Sequence, residues 1–389
     1  MSITWGNWDV RVYAAQAWVS LASRFAMEQP TIIDKIEAIL TDPASAVRVQ
    51  VAQNLHVIHD TAPERMWTLG NKIASHETDI QVITEYLNRS LWQFGHQEPE
   101  SCERVLSIVK DRFDSGLGNN DDRCIHLKKS LGKWTAQLFA RKGRELTNTW
   151  LEEWATDTEK YGDILESFTR SMRDAFYYRY RTTTDPKSSA VCDRAHHGLA
   201  LILAQATITS AKAYKVLISD ITETDKQAER NLYKSAEKVI GKALDELYFG
   251  SGAHADPHKK HPGLPDTTSK AQFLEDYNKI LAWFATSHEP ATQHRLIELY
   301  EYLIPGDPVR VFEAIHEILF GKGKEEGYHY ERLAQTTVVR IVQRYIADHR
   351  GIFEDEDRRR KLVAILQLFS DSGWTDALKL LYDLPDLLR

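Results

Sequence analysis

The sequence predicts an all-α fold in which at least the first third of the chain is a solenoid of stacked helical hairpins. Three observations carry this: an internal repeat, apolar residues at helical spacing, and helix starts marked by Asp-Pro. The repeat comes first, because a period of roughly 20–50 residues decides the architecture. Asp9-Val10-Arg11-Val12-Tyr13-Ala14-Ala15-Gln16-Ala17-Trp18 recurs 37 positions later as Ala46-Val47-Arg48-Val49-Gln50-Val51-Ala52-Gln53-Asn54-Leu55. A third, weaker copy runs Asp79-Ile80-Gln81-Val82-Ile83.

Between the copies, Thr31 to Leu40 and Pro63 to Ser75 read as second helices, so each unit is a helical hairpin. After Asp42, the residues Val47, Val51, Leu55 and Ile58 share one helix face and form a core stripe. Thr41-Asp42-Pro43 and Gly306-Asp307-Pro308 each place a capping carboxylate before a proline whose missing N–H costs nothing in a first turn. Both predict helix starts.

The run Asp42-Pro43-Ala44-Ser45-Ala46-Val47-Arg48-Val49 resembles the HEAT-repeat family, so the expected fold is a HEAT-like α-solenoid. The resemblance covers residues 8 to about 115 and returns at Asp307-Pro308-Val309-Arg310-Val311. It implies an Asp–Arg ladder along the solenoid, which makes Asp42, Arg48 and Arg11 structural. From Tyr328 the chain carries Val338-Val339-Arg340-Ile341-Val342-Gln343-Arg344-Tyr345 and Leu380-Leu381-Tyr382-Asp383-Leu384-Pro385. That part resembles the C-terminal helical region of large bacterial ATP-binding defence proteins, which implies an anti-phage role as a separate subunit or an isolated piece.

The expected organisation is HEAT-like repeats over 1–120, a middle region of longer helices with a basic face over 121–249, a flexible loop over 250–266, and a helical region over 267–389. A second break is expected at Thr182 to Ser189.

Composition narrows the classes. An apolar share of 42% with ten tryptophans belongs to a folded chain. A net charge of −7 argues against generic attraction to nucleic acid or anionic membrane, leaving local patches to select partners. Three dispersed cysteines, Cys102, Cys124 and Cys192, suit a reducing compartment, so the expected location is cytoplasmic. No stretch approaches the roughly 18 apolar residues of a membrane span.

Chemical motifs are sparse. No Gly-x-x-x-x-Gly-Lys-Ser/Thr loop exists to hold a nucleotide. His254, His258 and His261 lie close together, but no cysteine completes a tetrahedral set and a flexible loop would lose entropy on binding, so no metal or cofactor is assigned. Cys192 and His196 share a helix face as a nucleophile and base would, yet that face continues into Leu199, Leu203 and Ala206, a core pattern. The adjacent pairs Glu152–Glu153 and Glu325–Glu326 point in different directions on a helix and read as solvated. The expectation is a non-enzymatic scaffold or sensor with no catalytic residue.

Charge supplies the candidate binding residues. From Arg123 to Arg144 there are seven basic residues and no acidic one. Leu127, Leu131, Trp134 and Leu138 form the buried stripe there, with Lys129 and Lys133 projecting from the opposite side as a basic face, and Lys128, Arg141, Lys142 and Arg144 join them as candidate binding residues. Further on, Arg170, Arg173, Arg179 and Arg181 interleave with Phe176, Tyr177, Tyr178 and Tyr180, a mixture suited to holding phosphates and stacking bases, or to packing between layers. An acidic protein surface is the preferred partner of these residues; nucleic acid is the alternative.

The first helix is apolar almost all round, where a terminal repeat should be polar outside. It is expected to stack on another domain or subunit together with Trp5 and Trp8, unless those tryptophans fold back over it. The rival readings are a nucleic-acid-binding solenoid and an enzyme of the HEAT-like DNA glycosylase kind, which needs aromatic residues flanking a carboxylate in a deep cleft.

Overall fold

The structure is a computed structural model describing residues 10–119, 121–181, 185–219, 223–255 and 263–388. All regular structure among them is helical, as expected. The chain divides into two compact units, Met1–Thr147 and Asn148–Arg389, each described by itself. Residues 121–147, expected to open the middle region, group with the first unit.

The first unit holds α1 (Val10–Phe25), α2 (Thr31–Ile39), α3 (Ser45–Ala52), α4 (Pro63–His76), α5 (Ile80–Glu85), α6 (Pro99–Asp114) and α7 (Cys124–Ala136), and α8 (Glu145–Ala155) begins at its end. Helix α3 is followed by a 3-10 turn, Leu55–Ile58. Helix α5 runs on through a π turn, Tyr86–Ser90, and a 3-10 turn, Leu91–Phe94. Helix α7 likewise ends in a π turn, Gln137–Arg141.

Local chemistry explains most of these bounds. Pro63 and Pro99 open α4 and α6, each with a glutamate in the first turn, at the positive end of the helix dipole. Asp79 caps α5 by accepting from the Gln81 amide. One expectation needs correction. Pro43 does not start α3: Asp42 turns back to accept the Ala44 amide at 2.8 Å, so the helix begins at Ser45. At the second Asp-Pro the expectation holds, with Asp307 accepting from Arg310 N at 3.0 Å and Pro308 as the first helical residue.

The odd-numbered helices lie side by side: α1 packs on α3, α3 on α5, and α5 on α7. The even-numbered ones flank them, with α2 against α1 and α3, and α4 against α6. Val47, Val51, Leu55 and Ile58 are all buried, as their spacing demands. Gly70 in α4 marks a close approach, since a Cβ there would collide with the Tyr86 hydroxyl.

The second unit contains α9 (Thr158–Met172), α10 (Pro186–Leu217), α11 (Glu223–Ser251), α12 (Thr267–Asp276), α13 (Asn278–Phe284), α14 (Pro290–Leu303), α15 (Pro308–Phe320), α16 (Lys322–Glu325), α17 (Arg332–Asp348), α18 (Glu356–Asp371) and α19 (Thr375–Leu387). The 32-residue α10 and 29-residue α11 pack on one another, with α9 and α14 against α11. The helix α11 reaches Ser251, so the expected loop from 250 starts later. Residues 256–262, including His258 and His261, lie outside the described residues.

A buried carboxylate joins three elements of this unit. Glu237 on α11 accepts from Ser210 on α10 and from Ser287 ahead of α14, each at 2.5 Å. Beside it, His288 Nδ1 lies 2.7 Å from a Glu326 oxygen, and Tyr214 stacks on the His288 ring at 3.7 Å while donating to Glu326. Burial raises the Glu237 carboxyl above its ordinary value despite both serine hydrogen bonds.

Candidate interaction surfaces

The first surface lies on α1. Val12, Ala15, Val19 and Ala22 are buried, and Val12 and Ala15 cluster with Val47 of α3. On the other side Val10, Tyr13, Leu21 and Phe25 are exposed, Val10 by 79% and Tyr13 by 52%. At about 100° per residue these four, with Ala14, Ala17 and half-buried Trp18, fill an arc of roughly 140° opposite the buried stripe. Arg24 is the one polar residue in that arc. Met27, 74% exposed, extends the apolar surface beyond the helix. Helix α1 packs on α2 and α3 and still carries a second, exposed apolar stripe. Trp5 and Trp8, expected to share this edge, lie outside the described residues.

The segments between helices of the first unit carry a series of ion pairs. Arg11 on α1 reaches Asp42 at 3.2 Å. Arg48 on α3 pairs with Glu77, Nε to Oε2 at 2.7 Å and Nη2 to Oε1 at 2.8 Å, and also donates to the Asp42 carbonyl. That bond to Glu77 is the main reason the Arg48 guanidinium sits above its usual value. Arg123 reaches Asp79 at 3.3 Å. These contacts give Arg11, Asp42 and Arg48 structural work. The acceptor that sequence reading missed is Glu77, which also takes the Thr78 and Asp79 amides, both at 2.8 Å.

A cleft of about 350 Å³ opens beside this series, lined by Asp42, Arg48, Lys72, His76 and Glu77 among others. Its two carboxylates are engaged by arginines, and no Phe, Tyr or Trp lines it. It lacks the aromatic walls that the glycosylase reading requires.

The basic residues are less available than their sequence suggests. Arg144 is paired with Glu100 at 2.7 Å and Glu103 at 2.6 Å. Lys133, expected to project outward, lies over the Trp92 ring at 3.7 Å, and burial pulls its pKa down. Lys142 donates to the His96 carbonyl at 3.0 Å, and Lys128, Lys129 and Arg141 are engaged as well.

In the second unit, Arg173 pairs with Glu246, and Arg179 bridges Asp193 and Asp276. Arg181 lies over Tyr178. The aromatic residues expected as possible base-stacking platforms are core instead: Phe176, Tyr177 and Tyr180 are buried. Tyr177 stacks on Phe273 at 5.5 Å, and Tyr180 donates to Asp276 at 2.7 Å. Cys192 is buried and bonds the Phe176 carbonyl, and burial raises its thiol pKa, which suits the core reading of that face.

No group of three or more His, Cys, Asp or Glu side chains suited to a metal ion occurs among the described residues. No helix among them is long and apolar enough to cross a membrane. Neither a family model, a curated protein nor a solved structure matches this chain.

Proposed function

We propose that the first unit is a HEAT-like α-solenoid and that the protein is a non-enzymatic scaffold or sensor subunit, docking an α-helical protein surface on α1. The observation that carries this reading is the second apolar stripe of α1, opposite the stripe packed on α3. Each odd-numbered helix after α1 has a neighbour before it in the row. The outward stripe of α1 has the pattern of an inner helix, so the surface that fits it is another helix of the same kind. An exposed apolar band of this extent is the usual mark of an interaction site.

Two ion pairs support the solenoid reading, because Arg11 of α1 reaches Asp42 ahead of α3 and Arg48 of α3 reaches Glu77 ahead of α5 in the same way. A nucleic-acid interface is less well supported: phosphate binding draws on uncommitted cations, and Arg144, Arg173 and Arg179 are bound to carboxylates. A setting in anti-phage defence rests on the C-terminal sequence resemblance alone.

The test is a nuclease-treated native pull-down with the wild type and Leu21→Glu. One stoichiometric helical protein, lost with Leu21→Glu while circular dichroism is unchanged, supports the reading. Equal recovery with both forms, or recovery of nucleic acid alone, overturns it.

A further inference from the structure

Helix α19 carries an apolar stripe that its neighbours leave uncovered. It packs on α18 and α17, and the residues it buries are Ala377 and Leu384. Leu378 is 55% exposed and Tyr382 86%. At about 100° per residue these two, with exposed Pro385 and half-buried Leu381, share an arc of roughly 100°. Their spacing of i, i+3, i+4 and i+7 is the one by which a helix lies along a partner. Lys379, Asp386, Asp383 and Asp376 line the adjoining side of the helix.

Charge makes α19 the complement of α1. Within their bounds α19 holds three aspartates and one lysine, whereas α1 holds two arginines and no acid. Arg24 is exposed inside the outward stripe of α1, and Asp383 is exposed on the acidic flank of α19. Pairing α1 with a second α1 would set arginines together, and pairing α19 with a second α19 would set aspartates together; only the mixed pair matches in sign. Lengths match as well, since helices of 16 and 13 residues run about 24 and 20 Å.

We propose that the chain self-associates head to tail, with α1 of one copy lying along α19 of a second copy. This rests on the reading of α1 as a helix-docking surface and names its occupant. Burial of the two apolar stripes supplies the attraction, and the opposite charges exclude like pairing. Because the two surfaces differ, the contact is heterologous. Each open assembly keeps one unpaired α1 and one unpaired α19, so it grows with concentration unless a ring closes. One helix pair is a small interface, which makes the association reversible.

Sedimentation velocity of the purified full chain from about 1 µM to about 0.3 mM tests this. Wild type should grow in mass past the dimer over that range. Leu21→Glu removes one surface and Tyr382→Glu the other, so each variant alone should stay monomeric. Mixed in equal amounts, they should form a dimer and nothing larger, because one intact α19 meets one intact α1; that rescue also shows both variants to be folded. Leu21→Ser and Tyr382→Ser serve in the same way if circular dichroism shows either glutamate to disturb folding. A wild type that stays monomeric, a mixture that stays monomeric, or a Leu21 variant that still self-associates overturns the proposal. A foreign helical protein captured through Leu21 by a chain that is monomeric alone would remove the second copy as occupant and leave the docking role of α1 standing.

Discussion

Arg48 and Glu77 form a two-point ion pair whose side chains are 13% and 5% exposed, joining α3 to the junction of α4 and α5. Planar guanidinium and carboxylate meet with parallel N–H to O bonds, the geometry in which such pairs are strongest. Glu77 carries the larger share of the junction. It accepts the Thr78 and Asp79 amides that lead into α5 while holding Arg48.

Removing one partner of this pair leaves the other buried and uncompensated. Arg48→Ala should therefore destabilise the first unit by about 3 kcal/mol. Glu77→Ala should cost more, because two backbone amides lose their acceptor with it. Hydrogen exchange over α3 and α5 in the full chain measures both. Equal protection in wild type and Glu77→Ala would show the pair to be incidental.

Gly70 and Tyr86 are coupled through a hydroxyl. The Tyr86 Oη is buried and makes no hydrogen bond, and burial raises its pKa. Tyr86→Phe should accordingly be neutral or stabilising by about 1 kcal/mol. Gly70→Ala should destabilise in the wild-type background by about 2 kcal/mol and by distinctly less with Phe at 86, where the obstructing oxygen is gone. Thermal unfolding of the four forms completes the cycle; simple additivity would contradict the contact.

Glu237 makes a pH prediction whose sign follows from its environment. Burial raises its carboxyl above the ordinary value of 4.5, so above that pH the folded chain holds the proton longer than the unfolded one. Its contribution to stability is full below about 4.5 and is lost as pH rises through the folded value. Glu237→Gln cannot titrate, so it should gain on wild type between mildly acid and neutral pH. Melting temperatures of both forms across that range check this; a difference that stays flat, or that favours wild type as pH rises, contradicts it.

What the sequence made legible was the local pattern. Val47, Val51, Leu55 and Ile58 declared a buried face because burial repeats with the helical period. Pro63 and Asp307 declared helix starts because capping acts within one turn. Contacts across long separations stayed hidden. Ser287 meets Glu237 across 50 positions, and Lys270 on α12 meets Tyr302 on α14 beyond an intervening helix, separations that periodicity does not reveal. The basic run misled for the same reason: Arg144 finds Glu103 41 residues away, and Lys133 finds Trp92 in the turn that follows α5. Exposed apolar residues on α1 were visible as composition, but only the packing of α3 showed which half of the helix is left uncovered.

The most direct test of the docking reading is site-specific photocrosslinking with a benzophenone side chain at position 21, on the uncovered stripe, and at position 35 on α2 as the control. Position 21 is predicted to crosslink one stoichiometric protein through a helical segment, with position 35 giving none. Equal yields at the two positions, or no crosslink at 21 from intact cells, would contradict a helical partner on α1.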